Sequence, residues 1–209
     1  VSRLASRIGK ERIRAAAMLL LTLRGIPFIY YGDEIGMENG IIPPDSGEHS
    51  PGKPSKRIPI FNFGRDAERT PMQWDDSAYS GFSTHEPWLN LITDYKAVNV
   101  KNQQDDPQSL LNLYRTLIHF RNNSKTLQKG SYVPVNSKSR DILMFMREYE
   151  GEKLLVIINY GGKQIETDLP SEVEIICNSS LDKKTGERLT GRKITLRPNE
   201  GYLLKILES

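Results

Sequence analysis

The sequence predicts an α/β segment followed by a small antiparallel β domain. Residues 10–31 read as a helix, a tight turn and a buried apolar strand, the unit from which parallel sheets are built. After Lys129-Gly130 the pattern changes to period two or to short apolar runs, with no helix signal between them. Between these regions, from Gly32 to about Ser83, proline and glycine are frequent and regular periodicity is lost. An irregular stretch of that length inside a domain is often functional.

Residues 10–24 carry Ile13, Ala16, Ala17, Leu20 and Leu23 at helical spacing. Ala and Leu favour helix, Gly25 stands where a C-cap would be, and Pro27 forbids continuation. Phe28-Ile29-Tyr30-Tyr31 is apolar on both faces and reads as a buried strand. Pro107 suits the first turn of a second helix, which runs to about Asn123 with Leu110, Leu113, Tyr114, Leu117, Ile118 and Phe120 on one broad face. Strands are predicted at 142–146, 154–158, 173–177, 193–196 and 202–206, with turns at Glu150-Gly151-Glu152 and Gly161-Gly162. Together they make a sandwich or Greek key of five or six strands.

Composition excludes several classes of partner. Of 209 residues, 37% are hydrophobic and 26% charged, as in an ordinary globular protein. A net charge of +3 spread along the chain gives no nucleic acid a footprint. The densest basic stretch, Lys53 to Arg57, is broken by Pro54 and Ser55 and reads as a solvated loop. No run approaches the roughly 20 apolar residues of a membrane span. The lone Cys177 sits in an apolar run and reads as a buried thiol, so no disulfide points away from the cytoplasm. No signal peptide is visible, and the first residue is Val; a piece of a longer protein is the expectation.

Three segments carry a family resemblance. Leu23-Arg-Gly-Ile-Pro-Phe-Ile-Tyr-Tyr-Gly-Asp-Glu-Ile-Gly-Met37 resembles the eighth barrel strand of the α-amylase superfamily (glycoside hydrolase family 13) and the turn after it. Gly64-Arg-Asp-Ala-Glu-Arg-Thr-Pro-Met-Gln-Trp-Asp75, with Gly81-Phe82, is similar to the pattern of α-glucosidases and oligo-1,6-glucosidases. Val1-Ser-Arg-Leu-Ala-Ser-Arg7 is similar to the stretch that in that family follows an Asn-His-Asp triplet at the end of the seventh strand. The resemblance implies that residues 1–128 are the C-terminal portion of a (β/α)8 TIM barrel. Residues 129–209 would be the C-terminal antiparallel β domain.

The resemblance also implies a retaining glycoside hydrolase that releases terminal α-linked glucose from oligosaccharides. Such enzymes use two carboxylates about 5 Å apart, a nucleophile and an acid/base. In the family these lie on the fourth and fifth strands, and the Asp of Asn-His-Asp holds sugar hydroxyls. All three would precede Val1, so this chain alone is expected to be inactive. The family also includes non-enzymic heavy subunits of amino-acid transporters, a second reading; a carbohydrate-binding module is a third.

Asp33 and Glu34, adjacent at the end of a predicted strand, point to opposite faces and make no catalytic pair; one of them is expected to accept backbone N–H groups. Arg65 is the first substrate-binding candidate. The resemblance places it at the closed end of the sugar pocket, where a forked, permanently charged donor suits vicinal hydroxyls and a carboxylate partner. Arg3, three positions after the expected Asp, is the second, at the pocket edge. Arg69, Gln73 and Trp74 read as braces of the loop, and Phe82, Trp88 and Tyr95 as loop core, with an aromatic sugar platform as the alternative. His49, His85 and His119 lack the spacing of a metal site, and no cofactor is expected. The expected partners are an α-glucoside oligosaccharide and whatever covers the apolar edge at 28–31: the missing N-terminal part of the barrel or a second copy.

Overall fold

The computed structural model describes residues 2–41 and 66–207. It divides into two compact units. One comprises Val1–Lys10 with Tyr30–Asp105, the other Glu11–Ile29 with Asp106–Ser209.

The first unit holds little regular structure. Helix α1, Leu4–Ile8, opens it, a 3-10 turn spans Asp33–Ile35, and helix α3 spans Val100–Gln104. Ala5, Ile35, Met37, Met72 and Leu89 form its buried apolar contacts. Apart from a short 3-10 segment at Ala78–Gly81, its other described residues are irregular chain held by hydrogen bonds.

The second unit begins with helix α2, Ile13–Thr22, which buries Ile13, Ala15, Ala17, Met18 and Leu21. It stops at Thr22; Leu23 is extended, so the cap is not Gly25. The last carbonyls of a helix have no partner within it. Here two arginines supply partners. Arg121 Nη1 donates to Leu21 O at 2.8 Å and Leu23 O at 3.0 Å, and Arg147 Nη1 donates to Thr22 O at 2.7 Å. Cations at a helix C-terminus also face the favourable end of its dipole. Burial pushes both guanidinium pKa values down.

Helix α4, Leu110–Asn123, starts after Ser109, whose Oγ accepts from Asn112 N at 3.1 Å. Pro107 therefore lies before the cap rather than in the first turn. Ser124 caps the short helix α5, Lys125–Lys129, in the same way.

Strands β1 (Ser131–Pro134), β2 (Ile142–Tyr149), β3 (Glu152–Asn159), β4 (Ile165–Asp168), β5 (Val173–Asn178), β6 (Arg188–Leu189), β7 (Lys193–Leu196) and β8 (Gly201–Ile206) follow. They form a six-stranded sheet of order β1-β2-β3-β8-β5-β6 and a two-stranded sheet β4-β7. Every pairing among the described residues is antiparallel. Ile142, Met144, Leu155, Ile157, Ile175, Ile194, Leu196 and Leu204 meet in one core shared by the two sheets. The alternate residues Phe145, Leu154, Val156, Ile158 and Leu203 are also fully buried, on the face that α2 and α5 cover. Met18 packs over Gly201 there. A strand buried on both faces loses its alternation, which explains the continuous run Leu154–Ile158.

One sequence expectation is corrected. Residues 28–31 form no strand, and Phe28 is 86% exposed. A strand exists only through a lateral hydrogen-bonding partner. No described strand pairs with this segment, so the apolar run Ile26–Tyr31 forms no regular element and leaves Ile26 and Phe28 exposed.

Candidate functional site

Arg3 organises the first unit. It is 1% exposed. Its Nη1 donates to Tyr31 O and its Nη2 to Thr70 O at 3.4 Å. Its guanidinium carbon lies 4.6 Å from the Tyr31 ring centroid and 5.4 Å from that of Tyr30. Cationic contact with a ring face stabilises most where water is excluded. The backbone of Arg3 donates to Asn39 Oδ1 at 2.9 Å, and Leu4 N donates to Asp33 Oδ1 at 3.0 Å. Asp33 thus takes the structural role expected of one of the two adjacent carboxylates, within a 3-10 turn rather than a strand.

Gly32 makes this approach possible. Its φ is +87°, and a Cβ there would lie 2.4 Å from Arg3 Nη1 and 2.5 Å from Met37 Sδ. Only glycine meets both conditions cheaply. Tyr31 is tied to the loop as well, its hydroxyl donating to Thr70 O at 3.0 Å.

The segment Arg69–Phe82 is irregular but well braced. Gln73, fully buried, donates through Nε2 to Val98 O at 2.6 Å and to Asp94 Oδ1 at 3.2 Å. Val100 N and Lys101 N donate to the carbonyls of Gln73 and Trp74. Tyr79, Ser80 and Gly81 all have positive φ, and Ser80 O accepts from Trp74 N and Asp75 N. A Cβ on Gly81 would stand 2.8 Å from Asp75 Oδ2.

The result is a cleft of about 280 Å³ lined by Tyr31, Glu34, Arg69, Thr70, Pro71, Met72, Trp74 and Phe82. Of the three expected braces, Gln73 is one. Arg69 is exposed and Trp74 is half exposed, both on the cleft wall. Phe82 and Trp88 are exposed by 51% and 60% and are not loop core. Glu34 is half-buried, and burial pushes its carboxyl above the usual Glu range; backbone N–H groups at Glu34 and Gly32, and Arg3, draw it back. In the sequence Glu34 stands as one of two adjacent carboxylates, one of which is expected to take a structural role. Its position after a tight turn at a cleft floor could not be seen without knowing that no strand forms there.

Arg65 lies outside the described residues, as does His49. Cys177 is buried, and burial pushes its thiol up to about 12. No group of His, Cys, Asp and Glu able to hold a metal occurs among the described residues. No helix among them is long and apolar enough to cross a membrane.

Comparison with known proteins bears on this arrangement. Oligo-1,6-glucosidase of Bacillus cereus is 34% identical over 98% of this chain and 40% of its own length. Amino acid transporter heavy chain SLC3A1 of Mus musculus is 32% identical over 97% of the chain and 29% of its own length. Among solved structures, a mutant isomaltulose synthase from Erwinia rhapontici NX5 in complex with D-glucose matches 99% of this chain and 41% of its own, with 30% identity and a TM-score of 0.79. The chain thus spans about 40% of the length of the curated glucosidases it matches. The family model described as alpha amylase, catalytic domain, matches residues 1–130, and the chain belongs to that family.

Proposed function

We propose that this chain is the C-terminal part of a retaining glycosidase that releases terminal α-linked glucose from oligosaccharides. The observation that carries this reading is likeness to an oligo-1,6-glucosidase over 98% of the chain. The Arg-Thr-Pro-Met-Gln-Trp-Asp segment, which resembles the α-glucosidase pattern, supplies Arg69, Thr70, Pro71, Met72 and Trp74 to the cleft wall. In this reading residues 1–128 close a (β/α)8 barrel and residues 129–209 form the terminal β domain. Active-site residues of such barrels sit at the C-terminal ends of strands, which is where 32–82 would lie.

The nucleophile, the acid/base and the hydroxyl-holding Asp belong to the part of the protein that precedes Val1. Hydrolysis with retention needs the first two about 5 Å apart. This chain contributes binding. Arg65 holds hydroxyls of the terminal glucose through its forked donors. Arg3 acts at the pocket edge from behind, by fixing Tyr31 and Thr70. The exposed run Ile26–Tyr31 is covered by the preceding barrel strands, and the chain alone turns nothing over. Proton NMR of the full-length protein acting on p-nitrophenyl α-glucoside tests the reaction: α-glucose as the first product supports it, and β-glucose or no hydrolysis overturns it.

A second reading is favoured by one finding, the 32% identity to a transporter heavy chain. The two separate on the residues encoded before Val1. Intact Asn-His-Asp with the two earlier carboxylates means an enzyme, and their replacement means the non-enzymic kind.

A further inference from the structure

Lys10 joins two carboxylates that stand on different stretches of the first unit. Its Nζ lies 2.8 Å from Glu38 Oε2 and donates to Asp94 Oδ2 at 3.1 Å. The backbone fixes all three. Gly9, with φ of +86°, ends α1, and its N–H donates to Ala5 O. Glu38 stands between Met37, whose N–H donates to Gly32 O at 2.9 Å, and Asn39, whose N–H donates to Ser6 Oγ at 2.7 Å. The Asp94 carbonyl accepts from Ala97 N and Val98 N. Glu38 first, and Asp94 after it, hold the Lys10 ammonium above its ordinary pKa against the opposing effect of burial.

The arrangement reaches the cleft through Asp94. The other oxygen of that carboxylate, Oδ1, accepts from Nε2 of buried Gln73, which stands between the wall residues Met72 and Trp74. On the other side of the cleft, Tyr31 and Glu34 lie on the stretch that runs to Glu38, and Gln103 of α3 donates to Ile35 O at 2.8 Å. Lys10 therefore ties the two linings together toward Trp74, as Arg3 ties them at Thr70. An isolated exposed ion pair contributes little, but charges that share partners in a network contribute more. Here Asp94 is shared between a cation and a buried amide, and without Lys10 two like charges would be left close together. We propose that Lys10 is a positioning residue that, through Asp94 and Gln73, sets Met72 and Trp74 against Tyr31 and Glu34. Its effect on substrate rests on the glycosidase reading, in which 32–82 wall the active site; its effect on Trp74 does not.

The test uses the full-length protein, Lys10→Met and the charge-conserving Lys10→Arg, at ionic strengths of about 0.01 M and about 1 M, where the screening length falls from about 30 Å to about 3 Å. With isomaltose at low salt, Lys10→Met raises KM about twofold or more while kcat stays within about twofold, the mark of binding lost equally from ground and transition states. The KM ratio of variant to wild type falls toward one at high salt, because the attraction in one and the repulsion in the other are both screened. Lys10→Arg stays near wild type at both salts, and adding Glu38→Gln to Lys10→Met recovers part of the lost affinity by removing the repulsion. A KM ratio below about twofold at low salt, or one that salt does not change, overturns the proposal; a lowered melting temperature with either result makes Lys10 a brace of the fold alone. Fluorine NMR of the protein labelled with fluorotryptophan separates the proposal from the glycosidase reading. The Trp74 resonance, identified by its loss in Trp74→Phe, moves in Lys10→Met and returns in Lys10→Arg. That result without hydrolysis keeps the role of Lys10 and removes the enzyme. Hydrolysis with an unmoved resonance and an unchanged KM keeps the enzyme and removes the role of Lys10.

Discussion

Arg3 and Tyr31 are joined twice across 28 positions of chain: Arg3 Nη1 donates to the Tyr31 carbonyl, and the guanidinium lies 4.6 Å from the Tyr31 ring centroid. With Thr70 O as a third contact, one buried side chain ties the start of the sequence to the loop that walls the cleft. Arg3→Met leaves Tyr31 O without this donor and removes the cation from the ring. A loss of about 2–4 kcal/mol follows. Urea unfolding of the full-length protein measures it, and a loss under about 0.5 kcal/mol contradicts the organising role given to Arg3.

Gly32→Ala strikes the same junction from the other side. The new Cβ would meet Arg3 Nη1 at 2.4 Å in a backbone with φ of +87°. Strain of this kind costs about 1–3 kcal/mol. Melting by circular dichroism is expected at lower temperature in the variant, with the aryl α-glucoside KM raised. An unshifted melt means that the chain passes Arg3 differently.

Glu34 gives stability a pH dependence. Burial raises its folded pKa above the ordinary value of 4.5. Below that value the carboxyl is protonated in folded and unfolded chains alike, and its contribution is fully present. As pH rises through the raised folded value, that contribution is lost, because the unfolded chain ionises more readily. Glu34→Gln is therefore expected to melt higher than wild type at pH 7, with the gap closing toward pH 4. A gap that widens on acidification rejects the buried assignment.

Arg147 carries the same logic into the β-rich unit. It is 0% exposed and donates to Ser131 O, Thr22 O and Gly130 O at 3.1, 2.7 and 2.9 Å. Arg147→Met leaves three carbonyls unserved and is expected to lose about 3–5 kcal/mol. Exposed Arg140→Met is the control, expected within about 0.5 kcal/mol of wild type in the same denaturant series.

Much of the β-rich unit is legible from local pattern. Helices α2 and α4 and five of the strands follow from apolar spacing, because their buried faces lie within this chain. β1, β4 and β6 carry too few apolar residues to show a period. The buried arginines are not legible at all: a lone Arg in a helix or strand reads as solvated unless its carbonyl partners, Leu21 to Gly130, are already in place. Residues 28–31 fail for the opposite reason. Their composition is that of a buried strand, but a strand needs neighbours that the described chain does not provide. In the first unit, motif resemblance located the Arg69–Phe82 wall. It took Trp74 for an anchor and Phe82 for core, since the positive-φ turn at 79–81, between these two cleft residues, leaves no spacing signature.

Under the proposed glycosidase reading Arg65 holds the terminal glucose, so Arg65→Ala in the full-length protein is expected to raise KM for isomaltose about tenfold or more, the loss of a charged donor pair. Wild-type kinetics would remove Arg65 from the pocket.

Release of p-nitrophenol from p-nitrophenyl α-glucoside, by the full-length protein and by the purified 209-residue chain side by side, tests the assignment most directly. Turnover by the full-length protein and none by the chain is expected. Turnover by the chain alone would contradict the placement of the catalytic carboxylates before Val1, and none by the full-length protein would contradict the glycosidase itself.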